Sequence, residues 1–115
     1  TTVKFDNTTP TASAPTMSGG VDLTLLGLGY VFLSNTTNIS TAVIDNLSGV
    51  TSVEYYFDTD PGQGHGTPMT INGGTATATA NLVGLNGQHV LHVRALDAAG
   101  NWSAVANRTF TRIGL

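Results

Sequence analysis

Residues 87–103 read GQHVLHVRALDAAGNWS and carry the strongest structural signal in the chain. From residue 89 to residue 96 the side chains alternate between two faces, and this period of two predicts a β-strand. The alternation divides the strand into an inward set, Leu91, Val93 and Ala95, and an outward set, Val90, His92 and Arg94. The DAAGN that follows predicts a hairpin turn in which Gly100 takes the left-handed backbone conformation.

Further strands are predicted on both sides of this one. Residues 52–58 (SVEYYFD) place Val53, Tyr55 and Phe57 on one face and Glu54, Tyr56 and Asp58 on the other. Residues 75–83 (TATATANLV) alternate threonine with alanine. Shorter runs are found at residues 39–45, 68–71 and 104–113. About eight strands separated by turns rich in glycine and asparagine predict an all-β antiparallel sandwich.

The first third of the chain is less regular. Residues 1–16 are predicted to be a linker or a first strand, with two prolines that exclude a central strand. Residues 23–33 (LTLLGLGYVFL) are apolar but shorter than the roughly 18 residues of a membrane helix. We expect them to form one or two buried strands kinked at Gly27 and Gly29. The predicted core consists of Leu25, Val43, Tyr55, Phe57, Leu82, Leu91, Val93, Ala95 and Phe110.

Composition excludes several functional classes. The 115 residues suffice for one domain, residues 1–115, and contain no cysteine, so disulfides and thiolate metal sites are excluded. Four basic residues and a net charge of −3 do not provide the basic surface that nucleic acids require. Charged residues make up 10% of the chain and hydrophobic residues 40%. Together with the many threonines and asparagines, these values are typical of an extracellular or cell-surface protein.

The second half of the chain resembles a known class of repeats. Residues 53–69 (VEYYFDTDPGQGHGTPM), residues 87–103 and the TFT at 109–111 are similar to bacterial Ig-like and fibronectin type III-like repeats of secreted and cell-surface proteins. The match covers residues 39–112, and VKFDNTTPTAS at 3–13 resembles the junction between two such repeats. Residues 17–38 depart from the pattern. The resemblance implies a sandwich of seven to nine strands and neighbouring repeats as partners.

The histidines do not indicate catalysis. In fibronectin type III-like domains a tyrosine early in the sixth strand bonds back to the preceding turn, and here His89 has that position, where an imidazole could form the same bond. His89 and His92 lie on opposite faces of a strand and cannot share a metal. His65 falls in a glycine-rich turn. Because no nucleophile and base are paired, we expect the chain not to be an enzyme.

Two aspartates are calcium candidates. Asp58 and Asp60 resemble part of a calcium loop but lack the additional carboxylates of a complete one. A hairpin turn whose aspartates accept backbone N–H bonds explains them equally well. Asp6 and Asn7 offer a second calcium hypothesis, at a junction between repeats. We therefore expect no cofactor, with calcium as the alternative.

Two further hypotheses concern ligands and cross-links. Trp102 and Tyr56 are candidates for stacking on carbohydrate, although a tryptophan at this position also serves to cover the hairpin corner. Lys4, Asn107 and Glu54 provide the residue types of an intramolecular lysine–asparagine cross-link assisted by a carboxylate. Strand alternation argues against the cross-link, because Asn107 and Glu54 fall on faces turned away from the core.

Six Asn-x-Ser/Thr sequons make N-glycosylation a further hypothesis. They begin at Asn7, Asn35, Asn38, Asn46, Asn101 and Asn107.

These observations favour a non-catalytic extracellular module that acts as a spacer or adhesion-type repeat. One alternative is a self-assembling filament subunit, in which residues 1–9 of one copy complement the sheet of another. A second alternative is a carbohydrate-binding module. The expected partners are neighbouring repeats or subunits, with glycans as a further candidate, and neither nucleic acid nor a membrane-spanning segment is expected.

Overall fold

The computed structural model describes residues 8–45 and 49–114, which contain eleven β-strands. In chain order they are β1 (Thr11–Ala12), β2 (Thr16–Met17), β3 (Val21–Asp22), β4 (Tyr30–Phe32), β5 (Thr36–Ile44), β6 (Val50–Phe57), β7 (Thr67–Pro68), β8 (Thr70–Asn72), β9 (Thr75–Asn81), β10 (Gly87–Asp97) and β11 (Ala106–Arg112). A short 3-10 turn covers Thr24–Leu26. No helix in the described residues is long and apolar enough to cross a bilayer.

The strands form two sheets packed face to face. One sheet has the order β1–β5–β9–β8, with β2 also paired to β5, and the other has the order β3–β4–β11–β10–β6–β7. All pairs are antiparallel except β4 with β11, which is parallel. The predicted all-β sandwich is confirmed, and the first part of the chain moves from one sheet to the other between β2 and β3.

The core lies between the inner faces of the two sheets. Four aromatic rings meet there edge to face, and Phe110 contacts both Phe32 and Phe57 with ring centroids 5.8 and 5.7 Å apart. The alternation predicted for β9 and β10 is confirmed: the inward residues are buried except for the half-buried Ala78, and Thr75, Thr77 and Thr79 are exposed. Seven of the nine predicted core residues are buried, and Phe57 packs half-buried against them.

The prediction for residues 23–33 was wrong over most of its length. Only Val31 and Phe32 are buried, whereas Leu25, predicted to be core, is 102% exposed. Gly27 and Gly29 have φ values of 75° and 66°, in the left-handed region that ends a strand. The apolar run therefore forms a hairpin of β3 and β4 closed by the 3-10 turn, which presents its leucines to solvent.

The chain enters and leaves the sandwich at opposite ends. At the start of β1, Thr11 pairs with Ile44, the last residue of β5. The next strand, β6, begins at Val50, which pairs with Asp97 at the end of β10. The start of β1 therefore lies at the end of the sandwich that carries the turn after β10. Arg112, at the end of β11, pairs with Gly87 beside the turn between β9 and β10. We call the first of these the near end of the sandwich and the second the exit end.

Candidate functional site

The most elaborate polar cluster lies on the outer face of the six-stranded sheet, around Arg94 of β10. Its Nε donates to Glu54 Oε2 at 2.8 Å, and its Nη1 donates to Asp60 Oδ2 at 3.0 Å. Its Nη2 lies 2.7 Å from the same Glu54 oxygen and donates to the Gly62 carbonyl at 2.6 Å. The Gly64 N–H also donates to Glu54, at 3.3 Å. We call these five groups the Arg94 clasp.

The clasp corrects the exposure that alternation predicted. Glu54 and Arg94 do lie on the face away from the core, directly opposite each other in the register of β6 and β10. They are nevertheless only 6% and 2% exposed, because the loop of residues 58–66 folds over them. Burying two charges is costly unless they are paired and hydrogen-bonded, and here nearly every donor and acceptor is matched. The outward face of a strand is therefore not the same as an exposed face.

Aromatic rings extend the clasp along the sheet. The Arg94 guanidinium carbon lies 5.0 Å from the Tyr56 ring centroid and 5.5 Å from that of Trp102. Tyr56 also stacks on His92, with centroids 4.8 Å apart, and His92 Nδ1 contacts the Asn107 side-chain oxygen. Both carbohydrate-stacking candidates therefore lie close to one buried cation, which each contacts within cation–π range.

His89 forms a second polar cluster at the exit end. Its Nδ1 lies 2.6 Å from Asp58 Oδ2, and its Nε2 lies 3.0 Å from the Asn86 carbonyl oxygen. The second contact is the bond back to the preceding turn that the sequence suggested. A carboxylate and a carbonyl can only accept, so the imidazolium, which donates from both nitrogens, satisfies both contacts.

The same contacts set the charge of both groups. The bond to Asp58, followed by the bond to the Asn86 carbonyl, raises the pKa of His89. For Asp58, partial burial raises the pKa, but the bonds from the Val90 N–H and His89 outweigh it and lower the pKa overall. Asp58 has φ 61°, an unusual value for a residue with a Cβ, and its backbone N–H and Oδ1 are both bonded to Val90 at 2.9 Å.

The calcium candidates have protein partners in this structure. Asp58 bonds to His89 and Val90, and Asp60 bonds to Arg94 and to the Gly62 N–H. The bond from Arg94 is the main reason that the pKa of Asp60 is lowered. Among the described residues, no three acidic or histidine side chains converge as a metal site would need.

The cross-link residues are not assembled in the described structure. Glu54 on β6 and Asn107 on β11 are separated by the intervening strand β10. Two strand spacings amount to about 9.5 Å, which is too far for one carboxylate to assist a reaction at Asn107. Lys4 and the calcium candidates Asp6 and Asn7 lie outside the described residues.

The sequons have different environments. Asn35, Asn38 and Asn107 are exposed, and the side-chain oxygens of Asn35 and Asn38 accept bonds from Arg112 and Thr79. Asn101 is half-buried, and its Nδ2 donates to Asp97 at 3.0 Å. Asn7 and Asn46 lie outside the described residues.

The turn after β10 has the predicted geometry. Asp97 Oδ1 accepts from the backbone N–H groups of Ala99 and Asn101, at 3.0 and 2.8 Å. Gly100 has φ 92°, as predicted. This network holds the start of the last segment, where Trp102 bridges to Leu96, and so fixes the tryptophan near Arg94.

Sequence reasoning missed the Arg94 clasp and the clamp formed by Arg112 at the exit end. Arg112 is 6% exposed and donates to the Ser34 carbonyl and to the side-chain oxygens of Asn86 and Asn35. One signal could have indicated both. In a chain with only four basic residues, the three arginines within predicted strands are candidates for structural roles rather than for surface charge.

Comparisons with known proteins rest on structure alone. No family model matches the chain, and no curated protein matches it in sequence. The fibronectin(III)-like modules of CbhA from Clostridium thermocellum superpose with a TM-score of 0.61 over 92% of this chain, at 14% identity. The chain has a fibronectin type III-like fold. A point mutant of the SrpA adhesin from Streptococcus sanguinis is also similar, with a TM-score of 0.56 over 95% of this chain at 18% identity.

The fibronectin type III-like sandwich described here is shorter than the proteins it resembles. It covers 47% of the CbhA chain and 60% of the SrpA chain, roughly half of each. The similarity therefore concerns one sandwich within longer chains.

Proposed function

We propose that this chain is a non-catalytic structural module, a spacer or adhesion-type repeat of a cell-surface or secreted protein. The supporting observation is that the chain enters at one end of the sandwich and leaves at the other. Modules connected in this way extend end to end, because the chain leaves each sandwich at the end opposite to the one at which it entered.

The polar clusters are consistent with a structural role. The Arg94 clasp fixes the loop of residues 58–66, and the Arg112 clamp fixes the two turns at the exit end. In both clusters the donors and acceptors bond to groups of the same chain and are not directed at a substrate. The similarity to SrpA, which is an adhesin, supports placing the module at a cell surface.

A tandem fusion of the domain tests the spacer role. Two copies of residues 1–115 are joined directly and compared with one copy by small-angle X-ray scattering at low concentration. We expect the maximum dimension to come close to doubling. A pair of modules folded side by side, with nearly the same maximum dimension as a single copy, contradicts a spacer. Fractionation of the native cells with an antibody tests the extracellular location.

Carbohydrate binding is a second candidate because of one surface feature. An open depression of about 390 Å³ beside the end of β6 and the edge strand β7 is lined by Tyr56, Phe57, Pro61 and His65, among others. Rings of this kind stack on the apolar faces of sugars. Glycan-array screening together with Trp102 fluorescence tests it, with Tyr56→Ala as the variant. If no glycan binds and the Trp102 fluorescence does not change, carbohydrate binding is excluded as a candidate function.

A further inference from the structure

Apolar side chains concentrate at one place on an otherwise polar surface. Ten large hydrophobic residues among those described are more than a third exposed, and six of them lie between residues 21 and 33. We define the hairpin surface as Val21, Leu25, Leu26, Leu28 and Leu33. Leu25 is fully exposed and Leu26 is 71% exposed. Contiguous exposed apolar patches usually mark sites of interaction.

The fold of the single chain does not require these leucines. The hairpin is attached to the core by Val31 and Phe32, which pair with Thr111 and Arg112 on β11. The leucines of the 3-10 turn project away from that attachment, and none of the residues of the turn is buried. Their exposure therefore adds nothing to the stability of one copy.

The hairpin also leaves an open sheet edge. Strand β3 is the last strand of the six-stranded sheet, and no further strand pairs with it among the described residues. An unpaired edge offers backbone N–H and C=O groups to an added strand, and proteins normally protect such edges with charge or proline or by keeping the edge strand short. β3 itself has two residues. On β3 the only charged side chain is Asp22, which is exposed.

The first seven residues have the pattern that such a strand needs. They read TTVKFDN, in which Val3 and Phe5 fall on one face and Thr2, Lys4 and Asp6 on the other. Two large apolar side chains facing the leucines would bury surface on both partners. Lys4 is the only lysine of the chain, and its charge is complementary to that of Asp22.

The seven residues of the same copy are too short to lie along β3. Val21 is level with Gln88, through Val31 and Thr111, whereas β1 begins at the near end, level with Asp97. Nine strand residues between these levels span about 30 Å, and the ten residues that precede β1 reach at most about 33 Å when fully extended. In one molecule almost no residue of the segment would therefore be left to pair with β3.

We propose that residues 1–7 of one copy bind as an added strand along β3 of a second copy and cover its hairpin surface. Each copy then has one donor strand, residues 1–7, which precedes β1 at the near end, and one acceptor edge, β3. Such a heterologous contact joins copies head to tail, into open chains or, where the rotation between copies closes, into rings. The inference is independent of the spacer role, which a monomer also fulfils.

Light scattering on a sizing column, from about 10 to 500 µM, tests the assembly. We expect a ladder of species that grows with concentration. A tail variant (Val3→Ser with Phe5→Ser) and a hairpin variant (Leu25→Ser with Leu26→Ser) should each weaken association at least tenfold. Matched controls are Thr2→Ser with Asp6→Asn for the tail, and Val83→Ser for an exposed apolar residue elsewhere. Unchanged melting temperatures verify that the variants fold.

Mixing the two variants separates strand addition from nonspecific association. The tail variant can only accept and the hairpin variant can only donate, so each alone should be monomeric and their mixture should form heterodimers. Lys4→Glu and Asp22→Lys should each weaken binding about two- to fivefold, and combining them should restore it. Wild type that stays monomeric at 500 µM overturns the proposal. A tail variant that assembles as well as wild type, or a mixture that forms no heterodimer, also overturns it.

Discussion

Arg94 has a role that is set by its neighbours rather than by its position on the strand. Its guanidinium is shared among Glu54, Asp60 and the Gly62 carbonyl, which come from a strand and a loop more than thirty residues away. Burial alone would lower the pKa of Arg94, but the bonds to Asp60 and Glu54 outweigh it and raise the pKa. The side chain is therefore a permanent cation that fastens the loop to the sheet.

Removing the Arg94 guanidinium should lower the free energy of unfolding of the domain. We expect Arg94→Met to destabilise the domain by about 3 kcal/mol or more, because Glu54 is left charged, buried and unpaired. Asp60→Asn is the matched control within the same clasp, since Asp60 is exposed and should matter much less. Thermal and urea unfolding measure both. If the two variants lose equal stability, the buried pair is not the source of the effect.

The ion pair of His89 with Asp58 predicts that the stability of the domain depends on pH. The raised pKa of His89 means that its contribution to stability is complete below the usual value of 6.5 and is lost as the pH rises through the folded pKa. The lowered pKa of Asp58 means that its contribution is present above 3.8 and is lost as the pH falls. Both contributions coexist in mildly acidic solution. The melting temperature should therefore be higher near pH 5.5 than at pH 8.5.

Variants at His89 and His65 measure that contribution. His89→Gln should flatten the dependence of melting temperature on pH, with a loss at pH 5.5 of up to about 1 kcal/mol for this partly exposed pair. His65→Gln, at an exposed residue in the loop, should leave the dependence intact. A wild-type profile retained in His89→Gln contradicts the assignment.

At the scale of elements, the β3–β4 hairpin is joined to the core through one tight contact. A Cβ added at Gly20 would lie 2.6 Å from Cζ of Phe32, whose side chain is completely buried and packed edge-on against Phe110. The absence of a side chain at residue 20 therefore lets the chain pass over the Phe32 ring just before β3 begins.

Gly20→Ala should destabilise the domain by about 1 to 3 kcal/mol, the usual range for overpacking. Gly74→Ala is the control, because a Cβ there would meet only the Val43 carbonyl oxygen, at 3.7 Å. Melting temperatures compare the two variants directly. Equal losses would show that the Phe32 ring can move aside despite its burial.

The elements also show where sequence patterns are informative. Alternation identified β6, β9 and β10 and their buried faces, since a strand covered on one side must repeat every two residues. The turn after β10 was predictable from Asp97 and Gly100, because its bonds are local. The resemblance to fibronectin type III-like repeats indicated the sandwich itself.

Two errors have physical causes that no local pattern contains. The burial of Glu54 and Arg94 depends on a loop that returns over the outer face, a long-range event. The apolar run at 23–33 was interpreted as buried because of its hydrophobicity, but left-handed glycines at 27 and 29 turn it into a hairpin. Its exposed leucines form the surface that the proposed strand of a second copy would cover.

Across the whole molecule, charged residues and uncharged polar residues lie on different sheets. The described strands of the five-stranded sheet contain no charged residue, and their outward side chains are mostly threonine, serine and asparagine. Charges lie mainly on the other sheet and its loops, where Glu54, Asp58 and Asp60 form ion pairs with Arg94 or His89. Because exposed charges are few, we expect the stability of the domain to respond little to salt.

The burial of two arginines has a consequence for how the folded domain is cut by proteases. Trypsin cuts after lysine and arginine, and three of the four such residues lie within β10 and β11, where Arg94 and Arg112 are almost completely enclosed. The exposed leucines of the 3-10 turn are instead open to proteases that cut after large apolar residues.

Limited digestion followed by intact mass spectrometry should show the difference. We expect trypsin to leave residues 5–115 in one piece after cutting at Lys4, and a chymotrypsin-like protease to cut the chain after Leu25, Leu26 or Leu28. Rapid tryptic cleavage at Arg94 in the folded domain would contradict its enclosure. The resistance of the domain to a protease is thus decided by the specificity of that protease, and a neighbouring copy that covers the hairpin would protect its most accessible cleavage sites.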